Sequence, residues 1–402
     1  MKYLILALIV FLPFHSVFIS GFLAIYVVEV SFWKELVVAA MISTLLVTGR
    51  IRLSYQNITL ALASLLMIIY CSILFFVEPS VGAFAGLKNY ILPWLGFLCI
   101  LGSRLTSSDC NDLLRLFEKV AVFSVVYALF QAYILGDSFL LAAGFEPNIW
   151  NSAKLKFSFY INEGQIQRAN GGFAGPIVFA VYLYIAILLY YERVVMAKGK
   201  LGVVGIIILI GFLATMVRSA FLALAIVYVV FYWKDFRKII NWKNLLYAIF
   251  AIVFLVILAY KWNGLYETIA QFWSMSVGGA HDPSKVGHFL SYTNGMKAVG
   301  DYPLLGRGLG TYGPLAPLYF ENGEVVESTL LSLFLELGLI GSVLTLLPLL
   351  FLYLNENFGA GRKIMAGVFV IGLFLPIQYY VEINLLMMVV LGLLIRRKVA
   401  GK

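Results

Sequence analysis

The chain has 402 residues, of which 62% are apolar and only 12% charged, and its mean hydropathy is +0.95. Its 29 basic and 20 acidic residues cannot cover the surface of a soluble fold of that length, so most apolar side chains must face lipid or one another inside a bilayer. That excludes a soluble enzyme, a disordered protein, a disulfide-stapled secreted module and a nucleic-acid binder, and it makes the placement of the +9 net charge more informative than its size.

Taken in chain order, the first apolar run begins at Tyr3, has no small-residue cleavage site and continues past Pro13 towards Val28, which reads as a retained span. Apolar runs follow at 36–48, 57–76, 82–102, 119–136, 176–192, 201–217, 219–232, 244–261, 328–354, 364–380 and 383–395. A bilayer core of roughly 30 Å takes about 20 helical residues, so the expectation is an all-α polytopic membrane protein with 11 or 12 transmembrane helices in a single integral membrane domain over 1–402. Cys71, Cys99 and Cys110 lie in or beside these runs without ligand spacing and read as packing residues.

With the N-terminus inside, 19 of the 29 basic and six of the 20 acidic residues fall on the inner side, a net +13; the outer side keeps ten basic and 14 acidic residues, a net −4. This asymmetry expects both termini in the cytoplasm. Inner connections are short, whereas two outer segments, 137–175 and 262–327, are long, and long loops in a compact fold carry function. Chemistry is therefore expected on the outer face, where ATP and nucleotide sugars are absent, and no Walker-type phosphate loop occurs.

The first outer segment ends in Gln167-Arg168-Ala169-Asn170-Gly171-Gly172-Phe173-Ala174-Gly175-Pro176, a Gly-rich turn feeding a helix start that could hold an anion beside Arg168 or serve geometry alone. Arg218 stands between two apolar runs with hardly a linker, a permanent cation at the membrane boundary; function is favoured there over snorkelling to a lipid headgroup. The second outer segment carries His281, His288, Arg307, the Gly306-Arg307-Gly308-Leu309-Gly310 run, which reads as a tight turn near the membrane surface, and Glu327. His281 and His288 would share a helix face, but no third ligand has suitable spacing, so no metal and no cofactor is expected. Glu336 lies about two and a half turns into the span that Glu327 opens. It must face the bundle interior, with an Arg or Lys partner or a hydrogen bond to a neighbouring helix.

Four segments in this order resemble the bacterial O-antigen polymerase and ligase superfamily, the Wzy-type polymerases in particular: Arg168 to Pro176, Arg218-Ser219, Asp301 to Gly310, and Leu335 to Gly341. Glu327 stands where the ligases carry a histidine, which favours polymerase over ligase, and His288 lies where the family often has an arginine. The resemblance implies a GT-C-like glycosyltransferase of the bacterial inner membrane, acting at the periplasmic face. Its donor and acceptor would be oligosaccharide repeat units on undecaprenyl pyrophosphate, and its partners membrane lipids, a flippase and a chain-length regulator. On that chemistry Arg168 and Arg218 would hold the pyrophosphate as its charge grows, and Glu327, or else His288, would take the acceptor proton. Arg307, Tyr312 and Asn170 are further substrate-binding candidates, with Trp150, Tyr160, Tyr292 and Tyr319 as sugar-stacking surfaces.

Overall fold

The computed structural model describes residues 1–17, 32–48, 55–135, 160–161, 166–195, 197, 202–239, 283–313, 316–320, 323–354 and 358–400. Apart from a two-residue antiparallel pair, Tyr160–Ile161 with Ile166–Gln167, the regular structure among them is helical. The helices are α1 (Lys2–Phe11), α2 (Trp33–Thr48), α3 (Tyr55–Val77), α4 (Val81–Gly102), α5 (Ser107–Phe130), α6 (Pro176–Tyr190), α7 (Val203–Ala214), α8 (Arg218–Ile239), α9 (Pro283–Ala298), the short α10 (Ala316–Tyr319), α11 (Thr329–Leu354), α12 (Gly359–Phe374) and α13 (Val381–Ala400). The apolar run at 244–261 and most of the outer segment 137–175 lie outside the described residues.

Local chemistry sets several helix starts. Ser80 Oγ accepts the Ala83 N–H at 3.0 Å at the head of α4, and Thr106 and Asp109 cap α5 reciprocally. Pro176 opens α6 where its missing N–H costs nothing. Stretches of α3, α4, α6 and α11 are each long and apolar enough to cross a membrane. The chain is an all-helical polytopic membrane protein.

Most residues of α13 from Val381 to Arg396 are buried, and this helix packs against α4 and α5 at the centre of the bundle. Around it, α3 packs on α11, α8 on α12, and α7 between α5 and α6. Leu62, Leu66, Ile69 and Phe76 on α3, with Val126 and Phe130 on α5, stay exposed, an outward apolar surface suited to lipid. Cys71, Cys99 and Cys110 are buried packing residues.

Hydrogen bonds and ion pairs sort the two ends of the bundle. One end gathers Lys2 on Asp109 at 2.6 Å, Arg193 on Glu118, Lys363 and Tyr232 on Glu192, and Arg396 on the Leu105 carbonyl. The other end gathers the starts of α4, α6, α8, α11 and α13. The long apolar stretches at 328–354 and 364–380 are not single rods. Helix α11 breaks at Gly338, and α12 stops at Phe374 before a short 3-10 turn at Ile377–Tyr379.

Candidate functional site

The break in α11 is where the polar chemistry collects. Gly338 has φ 64° and ψ −171°, backbone that a side chain all but forbids, and it interrupts the helical ladder. The segment 301–313 docks into the gap. Arg307 N–H donates to the Leu335 carbonyl at 2.7 Å and Gly308 N–H to the Glu336 carbonyl at 3.1 Å, while Leu339 and Ile340 N–H donate to the carbonyls of Pro303 and Leu304. Tyr70 Oη closes the remaining gap by donating to the Leu337 carbonyl at 2.8 Å. The two glycines fit face to face: a Cβ on Gly306 would meet the Glu336 carbonyl oxygen at 2.3 Å, and one on Gly338 the Leu304 oxygen at 2.3 Å. The expected tight turn is thus present, but its backbone is bonded to the middle of a helix and not laid over the bundle's end. Irregular backbone is tolerated at such depth only when the surrounding protein satisfies it.

Glu336 fixes this docked segment. Its side chain is fully buried; Tyr90 Oη donates to Oε2 at 2.7 Å, while Tyr379 Oη at 2.7 Å and the Tyr312 N–H at 3.0 Å both donate to Oε1. One carboxylate therefore ties α4, the docked segment and the α12–α13 turn to α11. The expectation that Glu336 faces the interior and hydrogen-bonds neighbouring helices holds, with tyrosines as the partners. Nearby, Gln378 Nε2 donates to Ser332 Oγ, and Thr329 Oγ1 donates to the Leu375 carbonyl at 2.8 Å while accepting the Ile377 N–H at 2.9 Å. These bonds seat the start of α11 on the break between α12 and α13.

Glu327 lies just before that start, half-buried, its N–H donating to Ser291 Oγ of α9 at 2.7 Å. Arg307 Nη1 donates to Tyr312 Oη at 3.3 Å, and its guanidinium sits 5.8 Å from the Tyr312 ring centroid. Tyr312 is itself buried, a clamp residue more than an open sugar platform, whereas Tyr319 is exposed and Tyr292 half-buried. His288 belongs to α9, but its side chain, like Trp150, Tyr160 and His281, lies outside the described residues.

Arg168 and Arg218, 50 positions apart, meet at the tight turn between α7 and α8. The Ala169 N–H donates to the Ala214 carbonyl at 3.0 Å and Arg168 Nε to the Thr215 carbonyl at 2.9 Å, and Met216, with φ 51°, turns the chain into Arg218, the exposed first residue of α8. Burial, then the charge of Arg218, push the Arg168 guanidinium below its ordinary value. An anion placed between the two cations would relieve that repulsion. Asn170, two residues after Arg168 in the Gly-rich turn before α6, is buried.

Tyr90, Tyr379, Gln378 and Ser332 were not legible as site residues. Gln378 inside an apolar run was a usable signal; a tyrosine in a membrane helix is too common to be one. The molecule is therefore a helical membrane protein whose polar groups gather in two places among the described residues, a broken helix with its docked backbone segment and a turn that holds a pair of arginines.

Residues 203–346 match the family model described as O-antigen ligase, which places this stretch in the O-antigen polymerase and ligase superfamily. The matched stretch contains Arg218, Arg307, Glu327 and Glu336, and stops short of Arg168, Tyr90 and Tyr379. No curated protein matches the chain.

Proposed function

We propose that the chain is a surface-polysaccharide polymerase that transfers a growing glycan from undecaprenyl pyrophosphate to a hydroxyl of a second lipid-linked repeat unit at the periplasmic face of the inner membrane. The observation that carries this reading is the meeting of Arg168 and Arg218 at one helix turn. A diphosphate leaving group gains negative charge as the glycosidic bond breaks, and two fixed guanidinium groups are better complements to that state than to the intact donor. Glu327, just before the start of α11, is the first candidate to take the acceptor proton and His288 the second; Arg307 and the exposed Tyr319 are the sugar-facing candidates.

The reading carries its topology with it. The end that holds Lys2, Arg193, Lys363 and Arg396 is assigned to the cytoplasm, the arginine pair to the periplasm, and the full chain to about 12 spans in a GT-C-like arrangement with two long periplasmic segments. A flippase that delivers the lipid-linked units and a regulator of chain length are the expected partners.

Ligase activity is the second reading, supported by the description of the matched family model. It shares the donor and differs in passing finished polymer to lipid A core. Purified protein given a defined undecaprenyl-diphosphate repeat unit should produce a ladder of lengthened products with no core acceptor. Transfer only when core is added would establish the ligase, and no transfer with either acceptor would refute both.

A further inference from the structure

The docked segment 301–313 lies deeper than an outer loop, and three helices measure the depth. It bonds to α11 around Gly338, nine residues past the helix start, which at 1.5 Å per residue is about 14 Å inward. Tyr70, whose Oη donates to the carbonyls of Leu305 and Leu337, stands seven residues before the end of α3, about 10 Å in. A Cβ on Gly86 would meet the Gly310 nitrogen at 2.6 Å, and Gly86 is five residues into α4, about 8 Å. The apolar stretch Asn57–Val77 of α3 is itself about 30 Å long, the thickness of the hydrocarbon layer, so these contacts put the segment beside lipid chains and not in water.

The backbone of the segment is bonded to α11, while its side chains turn outward. Tyr302, Leu304 and Leu305 are exposed. They run on into Leu339 and Ile340 of α11, also exposed, whose N–H groups donate to the Pro303 and Leu304 carbonyls, and into Ile73 of α3, three residues after Tyr70. Arg307 stands just above this apolar face, its backbone fixed between Gly306 at φ 76° and Gly308 at φ 110°. Its guanidinium donates to Tyr312 Oη, and among the described residues no carboxylate forms an ion pair with it, Glu324 acting from beyond that distance. A permanent cation at this depth, with a stem long enough to reach the phosphate layer and an apolar face below it, fits a phosphate carried on a hydrocarbon chain.

Printed bonds lead from this cation to the candidate base. Tyr312, which takes the Arg307 bond on its hydroxyl, accepts the Val326 N–H on its carbonyl at 3.3 Å, and Glu327 follows Val326 in the chain. The arginine pair belongs to other elements: α3, α4 and α11 frame the docked segment, whereas Arg168 and Arg218 meet at the turn between α7 and α8.

We propose that the docked segment is the seat of the acceptor lipid: a polyisoprenoid chain lies along Tyr302, Leu304, Leu305, Leu339, Ile340 and Ile73, Arg307 holds the diphosphate that joins it to the glycan, and the glycan reaches outward to Glu327. This rests on the glycosyl-transfer reading above, in which donor and acceptor each carry a diphosphate, and it gives the two lipids separate seats. The donor's diphosphate leaves at the arginine pair. The acceptor's diphosphate bond stays intact, so Arg307 serves binding and not the departure of the leaving group.

Two measurements on the purified full chain test this. The native cysteines are buried, so Leu305→Cys can carry a bimane label in vesicles of brominated phosphatidylglycerol. The bromines should quench it, undecaprenyl diphosphate should relieve the quenching, and undecaprenol, the same chain without phosphates, should not; adding Arg307→Ala should abolish the relief. An unquenched label would show that the segment lies in water. Quenching that neither lipid relieves would show ordinary phospholipid only, and equal relief by both would leave Arg307 without a role; each of the three overturns the proposal. In the transfer assay, the lipid-linked acceptor is compared with an octyl glycoside of the same repeat unit, which has no diphosphate. Arg307→Ala should lower the ratio of their kcat/KM values by about 10- to 100-fold, through KM, and Arg307→Lys should recover part of it. An unmoved ratio, with both acceptors slowed alike, would show a structural role and refute the seat. If wild type transfers to neither acceptor, the glycosyl-transfer reading falls and the acceptor's role with it, whereas the quenching still decides whether the segment holds a polyprenyl diphosphate.

Discussion

Replacing Glu336 separates its two possible roles, hydrogen-bond acceptor and buried charge. The carboxylate accepts from Tyr90 Oη on one oxygen and from Tyr379 Oη and the Tyr312 N–H on the other. In Glu336→Gln the amide oxygen can keep the two donors that share Oε1. The new amide NH2, in the place of Oε2, can donate to Tyr90 once that hydroxyl rotates, so all three contacts survive as neutral bonds. The loss is then the difference between charge-assisted and neutral bonds, about 1 kcal/mol each and roughly 2 to 3 kcal/mol in all. Glu336→Leu leaves two hydroxyls and an amide buried without an acceptor, at about 1 to 3 kcal/mol each, or roughly 3 to 9 kcal/mol. The leucine variant should also undock segment 301–313, because the Tyr312 N–H is one of its anchors. Denaturant titration in detergent micelles measures the stabilities, and limited proteolysis between residues 301 and 313 reports undocking. Equal stability of the two variants, or a protease-resistant segment in Glu336→Leu, would refute the clamp. Loss of activity in a stable Glu336→Gln would move Glu336 from clamp to proton carrier.

Gly338→Ala should cost roughly 2 to 6 kcal/mol, since its Cβ would meet the Leu304 carbonyl oxygen at 2.3 Å on backbone that already excludes a side chain, and it should expose segment 301–313 to protease. Arg218→Ala should abolish long polymer while leaving membrane insertion intact, and Arg168→Ala should do the same with some added loss of stability from the broken bond to Thr215; normal chain length in either would sink the diphosphate role. Glu327→Gln should slow turnover by about 100-fold or more with the fold unchanged, and wild-type turnover there would pass the first proton transfer to His288. The hydrogen bond from Lys2, then that from Thr106, hold Asp109 down to about 2. Because that folded value is depressed, its stabilising effect is present above the ordinary value near 4 and lost as pH falls towards 2. Asp109→Asn should therefore flatten the acid limb of the unfolding midpoint over that window, and an unaltered limb would count against the pair.

Hydropathy made α3, α4, α6 and α11 legible, because spans must satisfy their own backbone and therefore read as long apolar runs, whereas α9 and α10 lie in a segment that read as a long outer loop. It could not show that α11 is broken. Glycine is frequent in membrane helices, so Gly338 inside a continuous apolar run gives no local sign of the gap, and the partner that fills it lies about 30 residues earlier. Glu336 stood out for the opposite reason: a carboxylate in that run is costly enough to demand partners, although not to say which. Arg168 and Arg218 were each visible as boundary cations, but their meeting depends on how α6, α7 and α8 pack.

The extent of the family match bears on how the site works. The matched stretch supplies Glu336 and the docked backbone, both of which need donors and neighbours from elsewhere: Tyr90 comes from α4 and Tyr379 from the turn before α13. Arg218 likewise lies within the match, while Arg168, which is bonded to the same turn, precedes it. At Glu336 and at the arginine pair, the bonds therefore run between the matched stretch and the rest of the bundle. A carboxylate buried without its two tyrosines would be an uncompensated charge in a low-dielectric interior, so the stretch 203–346 cannot hold this arrangement alone. The flanking helices are part of the site, and substitutions in them should impair transfer as severely as those within the matched segment.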